Sequence, residues 1–96
     1  MKKKIDFLVV GAGFFGSVIA ERIANVLKKE VLIVDKRDHI GGNCYSEIEP
    51  KTQIEYHKYG THIFHTSNKK VWEYLSQFTE FNNYRHQVLS NHKNKI

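Results

Sequence analysis

Three glycines and one acid carry the first chemical signal in the chain. Gly11, Gly13 and Gly16 stand in VVGAGFFGSVIA, at the end of an apolar run and the start of a helix-patterned one. Glycine costs a helix interior about 1 kcal/mol relative to alanine. Its use here points to a backbone that goes where a Cβ cannot. The spacing G-x-G-x-x-G does this around a pyrophosphate: Gly11 permits the tight turn, Gly13 lets the backbone approach the ligand, and Gly16 lets the helix pack on the sheet. The helix start offers unpaired N–H groups and about half a positive charge to the phosphates. Asp35 ends the next apolar run, at the separation of about 20 residues where a dinucleotide site needs a carboxylate for ribose hydroxyls. A carboxylate there disfavours a 2′-phosphate, and with it NADP. The bland alternative is a glycine-rich strand–helix corner that binds nothing; the strand before, the helix after and the acid argue against it.

Other residues invite chemistry with less support. Gly41-Gly42 follow in DKRDHIGGN. NAD binding does not need this second glycine pair. It resembles the pattern of glutathione-reductase-like FAD proteins, in which the loop after the second strand runs back along the cofactor, and so favours FAD over NAD. An ordinary loop turn is the alternative. His57, His62 and His65 suggest a metal, but in an extended segment 57 and 65 face one side and 62 the other. No cysteine or nearby carboxylate completes a ligand set, so no metal is expected. Cys44 is the only cysteine. It excludes an internal disulfide, fits a reducing, cytoplasmic compartment, and has no thiolate-activating partner in sequence.

Bulk properties set the frame. The 96 residues carry a formal net charge of +5, enough chain for one small domain. The basic residues are scattered in twos and threes. That permits a phosphate-bearing ligand but gives no nucleic-acid-binding face. The start, MKKKIDFLVVGAG, does not read as a leader peptide, because Asp6 and the glycines interrupt the apolar run. No stretch reaches the 18 or so apolar residues of a membrane span.

The elements that must position these groups follow from periodicity. Ile5 to Val10 read as a buried strand, and Glu30 to Val34 as a second. Between them Phe15, Val18, Ile19, Ile23, Val26 and Leu27 share one helix face. A helical crossover makes the two strands parallel. Residues 36–53 read as loop with a short strand at most, and 56–66 as extended around Gly60. Residues 68–79 read as a helix capped by Thr66 or Ser67, with Val71, Leu75 and Phe78 on one face and Trp72 beside them. Core packing is the default for that aromatic-rich helix. Residues 84–90 alternate as a strand. NHKN then supplies a turn, and Lys95-Ile96 begin a return strand, so the chain reads as cut rather than finished.

At VVGAGFFG, VDKRDHIGGN, YGTHIFHT, VWEYLSQFTEF and YRHQV the chain resembles the UDP-galactopyranose mutase family. These flavoenzymes interconvert UDP-galactopyranose and UDP-galactofuranose. The motifs run in order through nearly the whole chain, and YGTHIFHT is far more specific than the glycine motif. Family members are several times longer. The resemblance therefore implies an α/β fold and an incomplete Rossmann-like domain of the FAD/NAD(P)-binding, glutathione-reductase-like type. Residues 1–96 would be its N-terminal part, truncated at the C-terminal end and inactive alone.

The resemblance also implies roles. Gly11, Gly13, Phe15 and Gly16 would line the pyrophosphate turn. Asp35 and Lys36 would hold the adenosine ribose, and Gly42 and Asn43 would follow the diphosphate and ribityl chain. His62 and Ile63 would sit against the flavin, with His62 as the catalytic residue at its reactive edge. Arg85 and His86 would approach the nucleotide end of the substrate, UDP-galactose. Reduced FAD would act through its N5, forming a covalent sugar adduct that opens, recloses as a five-membered ring and recaptures UDP without net redox. A homodimer is expected of the full-length enzyme. Two departures stand out: Asp35 replaces a common Glu, and Thr61 replaces a smaller residue. The arginines that clamp the UDP diphosphate lie beyond residue 96 in the family. A non-catalytic dinucleotide-binding remnant and an amine-oxidase-like flavoprotein are the competing readings.

Overall fold

The β-branched and large apolar residues of FLVV and VLIV favour extended backbone, and both runs form strands, β1 (Phe7–Val10) and β2 (Val31–Val34). They pair in parallel, Phe7 opposite Val31 through Val10 opposite Val34. The crossover is α1 (Phe14–Asn25), which packs on both strands. The computed structural model describes residues 2–96, in two units that divide after Ile63. The β–α–β order expected from the sequence is thus the frame of the first unit. Its boundaries are tighter than periodicity gave. Lys28 adopts a left-handed backbone with φ +52°, which ends the helical course before β2. At the far end, Glu30 O accepts from the amides of Asp6 and Phe7, and the Asp6 carboxylate accepts from the Glu30 amide at 3.0 Å.

The segment read as loop after β2 is more ordered than expected. A 3₁₀ turn (Gly42–Cys44) leads into β3 (Ser46–Ile48), which pairs antiparallel with β4 (Glu55–His57). Glu49 organises the connection by accepting from the Thr52 amide and hydroxyl at 2.6 and 2.8 Å. Its carboxyl is held below the usual range by those bonds. Across the hairpin, Glu47 accepts from the Tyr56 hydroxyl at 2.8 Å and pairs with the Lys58 ammonium. Lys58 first, then Tyr56, hold the Glu47 carboxyl low. No run of alternating apolar residues announces these short strands, which is why the sequence reading missed the hairpin.

The second unit, Phe64–Ile96, contains α2 (Lys69–Leu75). Its cap is Asn68, not Thr66 or Ser67: the Asn68 side chain accepts from the amides of Lys70 and Val71. Thr66 instead accepts from the Asn68 amide. Leu75 is buried, while Val71 and Phe78 remain exposed. Phe64, Trp72 and Phe81 stack with centroids 4.6 to 5.9 Å apart. The strand expected at 84–90 does not form. The turn expected at NHKN does form, with His92 bridged to Lys95 around two left-handed residues, Lys93 and Asn94. A strand gains nothing without a neighbour to take its amides, and the bridge offers one pair.

The strands expected to be buried are not. Leu8, Val10, Leu32 and Val34 are all exposed, and among the described residues the buried apolar set is Ala12, Ala20 and Leu75. Parallel sheets are normally covered on both faces, and α1 alone cannot cover a two-stranded sheet. No helix is long and apolar enough to cross a membrane among the described residues.

Candidate functional site

The corner between β1 and α1 is built by backbone geometry. Gly11 has φ +106°, a region closed to most side chains. Its amide donates to the Val34 carbonyl at 2.7 Å, so the end of the parallel ladder sets the turn. A Cβ on Gly16 would lie 2.0 Å from the Gly11 carbonyl oxygen and 3.2 Å from Val9 Cγ1. Only a bare Cα lets α1 approach β1 this closely. Gly13 is the N-cap, with extended backbone and no side-chain capping bond, and the first turn contains no acidic residue. The amides of Phe14, Phe15 and Gly16 have no intrahelical acceptor, as in any first turn. Nothing on the helix offsets its positive end, so the corner suits an anion.

Asp35 sits at the exit of β2, and its carboxylate faces the corner. Oδ2 accepts from the Ala12 amide at 2.6 Å and Oδ1 from the Arg37 amide at 2.7 Å. The Ala12 bond, then the Arg37 bond, hold its carboxyl below the ordinary value. The sequence assigned Asp35 to a ribose; in the structure it also staples the glycine turn to β2. That removes the Ala12 amide from the donors open to a phosphate. A carboxylate has about four lone-pair sites, so both oxygens keep capacity to accept from hydroxyls. The first-turn amides, the bare glycines and this carboxylate fit a dinucleotide.

The second glycine pair belongs to the same construction. The Gly41 amide donates to the Ala12 carbonyl at 2.9 Å. Gly42 has φ +58°, and a Cβ there would lie 2.8 Å from Gly13 Cα. The two glycine motifs therefore touch backbone to backbone, a requirement invisible in either motif alone. Asn43 follows, and its Oδ1 accepts from Arg37 Nη2 at 3.0 Å. Phe15 and Lys36 are exposed near these turns in sequence.

His62 lies on the hairpin side of the first unit. The segment around Gly60 is not extended as expected: Gly60 has φ +103°, and the chain turns. As a result His57 and His62 do not face opposite sides. Their rings stack at 3.7 Å, and the His62 amide donates to His57 Nδ1 at 3.0 Å. His62 Nε2 is 3.4 Å from Ser46 Oγ, while its Nδ1 is buried without a partner. Ile63 ends the unit and is exposed. His65, Arg85 and His86 belong to the second unit, the last two in irregular, exposed chain. Sequence reasoning missed Arg37, His39, Tyr45 and Tyr59, which surround the loop after β2; no spacing rule connects them.

The corner lies within the stretch of chain that matches known proteins. Residues 9–78 match the model of a family described as an NAD(P)-binding Rossmann-like domain. The chain is 54% identical over 91 residues to a UDP-galactopyranose mutase of Mycoplasma genitalium, covering 95% of this chain and 22% of that protein. It is 46% identical over 85 residues to a UDP-galactopyranose mutase of Mycoplasma pneumoniae, covering 88% of this chain and 21% of that protein. It is 45% identical over 89 residues to a dTDP-fucopyranose mutase of Escherichia coli, covering 93% of this chain and 23% of that protein. The chain thus spans about a fifth of the length of the curated relatives it matches.

Proposed function

Because the chain belongs to the NAD(P)-binding Rossmann-like domain family, we propose that residues 1–96 are the N-terminal, FAD-binding part of a UDP-galactopyranose mutase. This is an isomerase, and turnover needs the rest of such an enzyme. The observation that carries the reading is the backbone contact between the two glycine motifs, Gly42 against Gly13. It makes the loop after β2 part of the phosphate corner, as a cofactor extending past its first ribose requires. The relatives named as mutases, aligned along nearly the whole chain, support the same assignment.

The roles follow. The first-turn amides beside Gly11, Gly13 and Gly16 bind the diphosphate, with Phe15 at the rim. The spare lone pairs of Asp35 take the ribose hydroxyls, next to Lys36. Gly42 and Asn43 guide the rest of the cofactor towards His62 and Ile63. Bound reduced FAD supplies a nucleophile and an electron reservoir for ring contraction without net redox. His62 is the catalytic side chain: its Nε2, beside Ser46 Oγ, is the ring atom that gives or takes a proton at the cofactor's edge. Arg85 and His86 meet the nucleotide end of UDP-galactose, and the setting is cytoplasmic.

The test has two parts. The chain titrated with FAD should quench flavin fluorescence. Mixed with a separately expressed remainder of the Mycoplasma genitalium mutase, it should interconvert UDP-galactopyranose and UDP-galactofuranose. FAD fluorescence unchanged in both settings rejects the reading. Turnover of dTDP-fucopyranose in place of UDP-galactopyranose would keep the flavin site and reassign the substrate.

A further inference from the structure

The loop after β2 holds Gly42 against Gly13 with φ +58°, a conformation that backbone preference alone does not secure. A set of side chains beside the glycines surrounds it. The His39 ring stacks on Tyr45, with centroids 3.7 Å apart and planes within 10°. His39 Nδ1 is 2.9 Å from the Ile40 carbonyl oxygen, and Nε2 is 2.6 Å from the Tyr59 hydroxyl. A carbonyl oxygen only accepts, so Nδ1 carries the proton. In the neutral ring Nε2 is then the acceptor, and Tyr59 O–H donates to it. The Arg37 guanidinium lies 4.1 Å over the Tyr59 ring and donates to Asn43 just past the glycine pair. Tyr59 comes from the turn after β4. It meets two residues of that loop ahead of Gly41-Gly42, His39 and Arg37, while the amide of its neighbour Lys58 donates to the Tyr45 carbonyl beyond them at 3.3 Å.

We propose that His39 and Tyr59 are positioning residues: their hydrogen bond clamps the loop after β2 to the hairpin and thereby holds the second glycine pair against the first. Neither residue is one of the glycines, and neither bonds the corner amides. They act through the loop that bears Gly41, whose amide closes on the Ala12 carbonyl. The clamp sets how well the corner is preorganised for a diphosphate. Only that last step rests on the dinucleotide reading given above.

Two substitutions break the bond, and Tyr59→Phe does so without touching the His39 bond to Ile40. His39→Phe keeps a ring for Tyr45, and Tyr59→Phe keeps a ring under Arg37; each removes one partner of the hydrogen bond. Hydrogen exchange of the Gly41 amide, read by NMR on the whole chain, should accelerate roughly three- to tenfold in either variant, the effect of losing one hydrogen bond. The double variant should be no faster than His39→Phe, because that substitution already removes the bond to Tyr59 together with the Nδ1 bond to the Ile40 carbonyl. His39→Gln, which can still accept from Tyr59, should recover part of the protection. Nitrogen shifts of His39 should report the Nδ1–H tautomer. Exchange unchanged in both singles, or rates that multiply in the double variant, overturns the proposal, as does an Nε2–H tautomer. FAD titration of the same variants separates the two readings. If Gly41 exchange responds as expected and FAD fluorescence is unchanged by wild-type chain both alone and with the mutase remainder, the clamp stands and the cofactor assignment falls. If wild-type chain binds FAD and Gly41 exchange ignores the substitutions, the clamp falls and the cofactor assignment stands.

Discussion

The glycine corner of the first unit and the aromatic helix of the second are held by different forces. In the corner, backbone meets backbone: Gly16 lies on Gly11, Gly42 on Gly13, and the amides of Gly11 and Gly41 find the carbonyls of Val34 and Ala12. Around α2, one side-chain cap and three stacked rings hold seven helical residues. The corner needs almost no buried apolar area to be specific, because sterics and hydrogen bonds define it. The helix depends on packing, and Leu75 is its buried residue. A short helix is marginal without tertiary packing. The contrast separates geometry, which a few residues dictate, from burial, which takes many.

Three perturbations probe that contrast. Gly16→Ala should have the largest effect. Its methyl would fall 2.0 Å from the Gly11 carbonyl oxygen, and neither backbone segment yields without breaking the corner. A loss of about 3 kcal/mol or more is expected, read by urea unfolding with circular dichroism. An alanine variant as stable as wild type would mean that the corner is not set by close approach.

Acid should act next. Asp35 is held low by the Ala12 amide. A carboxylate whose folded pKa is depressed contributes its full stability above the unfolded value, here 3.8. That contribution is lost as pH falls through the lower folded value. The Ala12 amide should therefore stay protected above the unfolded value and lose protection only as pH falls below it. In Asp35→Asn this pH dependence should vanish, and Ala12 should exchange faster throughout. Protection of Ala12 that ignores both acid and the substitution would remove the staple from the account.

The smallest effect belongs to the second unit. Asn68→Ala removes the cap that serves two amides of α2. It should cost about 1 kcal/mol and reduce the helical signal while the Gly11 and Gly41 amides keep their exchange rates. Coupled changes at those glycines would show that the two regions are not independently held.

Much of this was legible in the sequence because the relevant rules are local. A β–α–β frame follows from two apolar runs and one 3.6-residue periodicity, and three glycines at fixed spacing announce a corner. Motif chemistry also placed Asp35 at the end of β2. The β3–β4 hairpin was not legible: its strands are short and lack alternation. The strand expected at 84–90 failed for the opposite reason, since alternation describes a face but supplies no partner. Helix capping fell to Asn68 because its carboxamide reaches the Lys70 and Val71 amides, and three adjacent polar residues gave no basis for choosing.

By itself, then, the sequence determined where the backbone turns and which residue types can face a diphosphate, because sterics at glycine and charge at a helix start act over a few residues. Tertiary structure alone decided that Gly42 packs on Gly13, that Asp35 ties its own turn, that His57 stacks on His62, and that His39 meets Tyr59. Those pairs are far apart in sequence or hidden by a turn. Their contact depends on the path the chain takes between them, which no local pattern encodes.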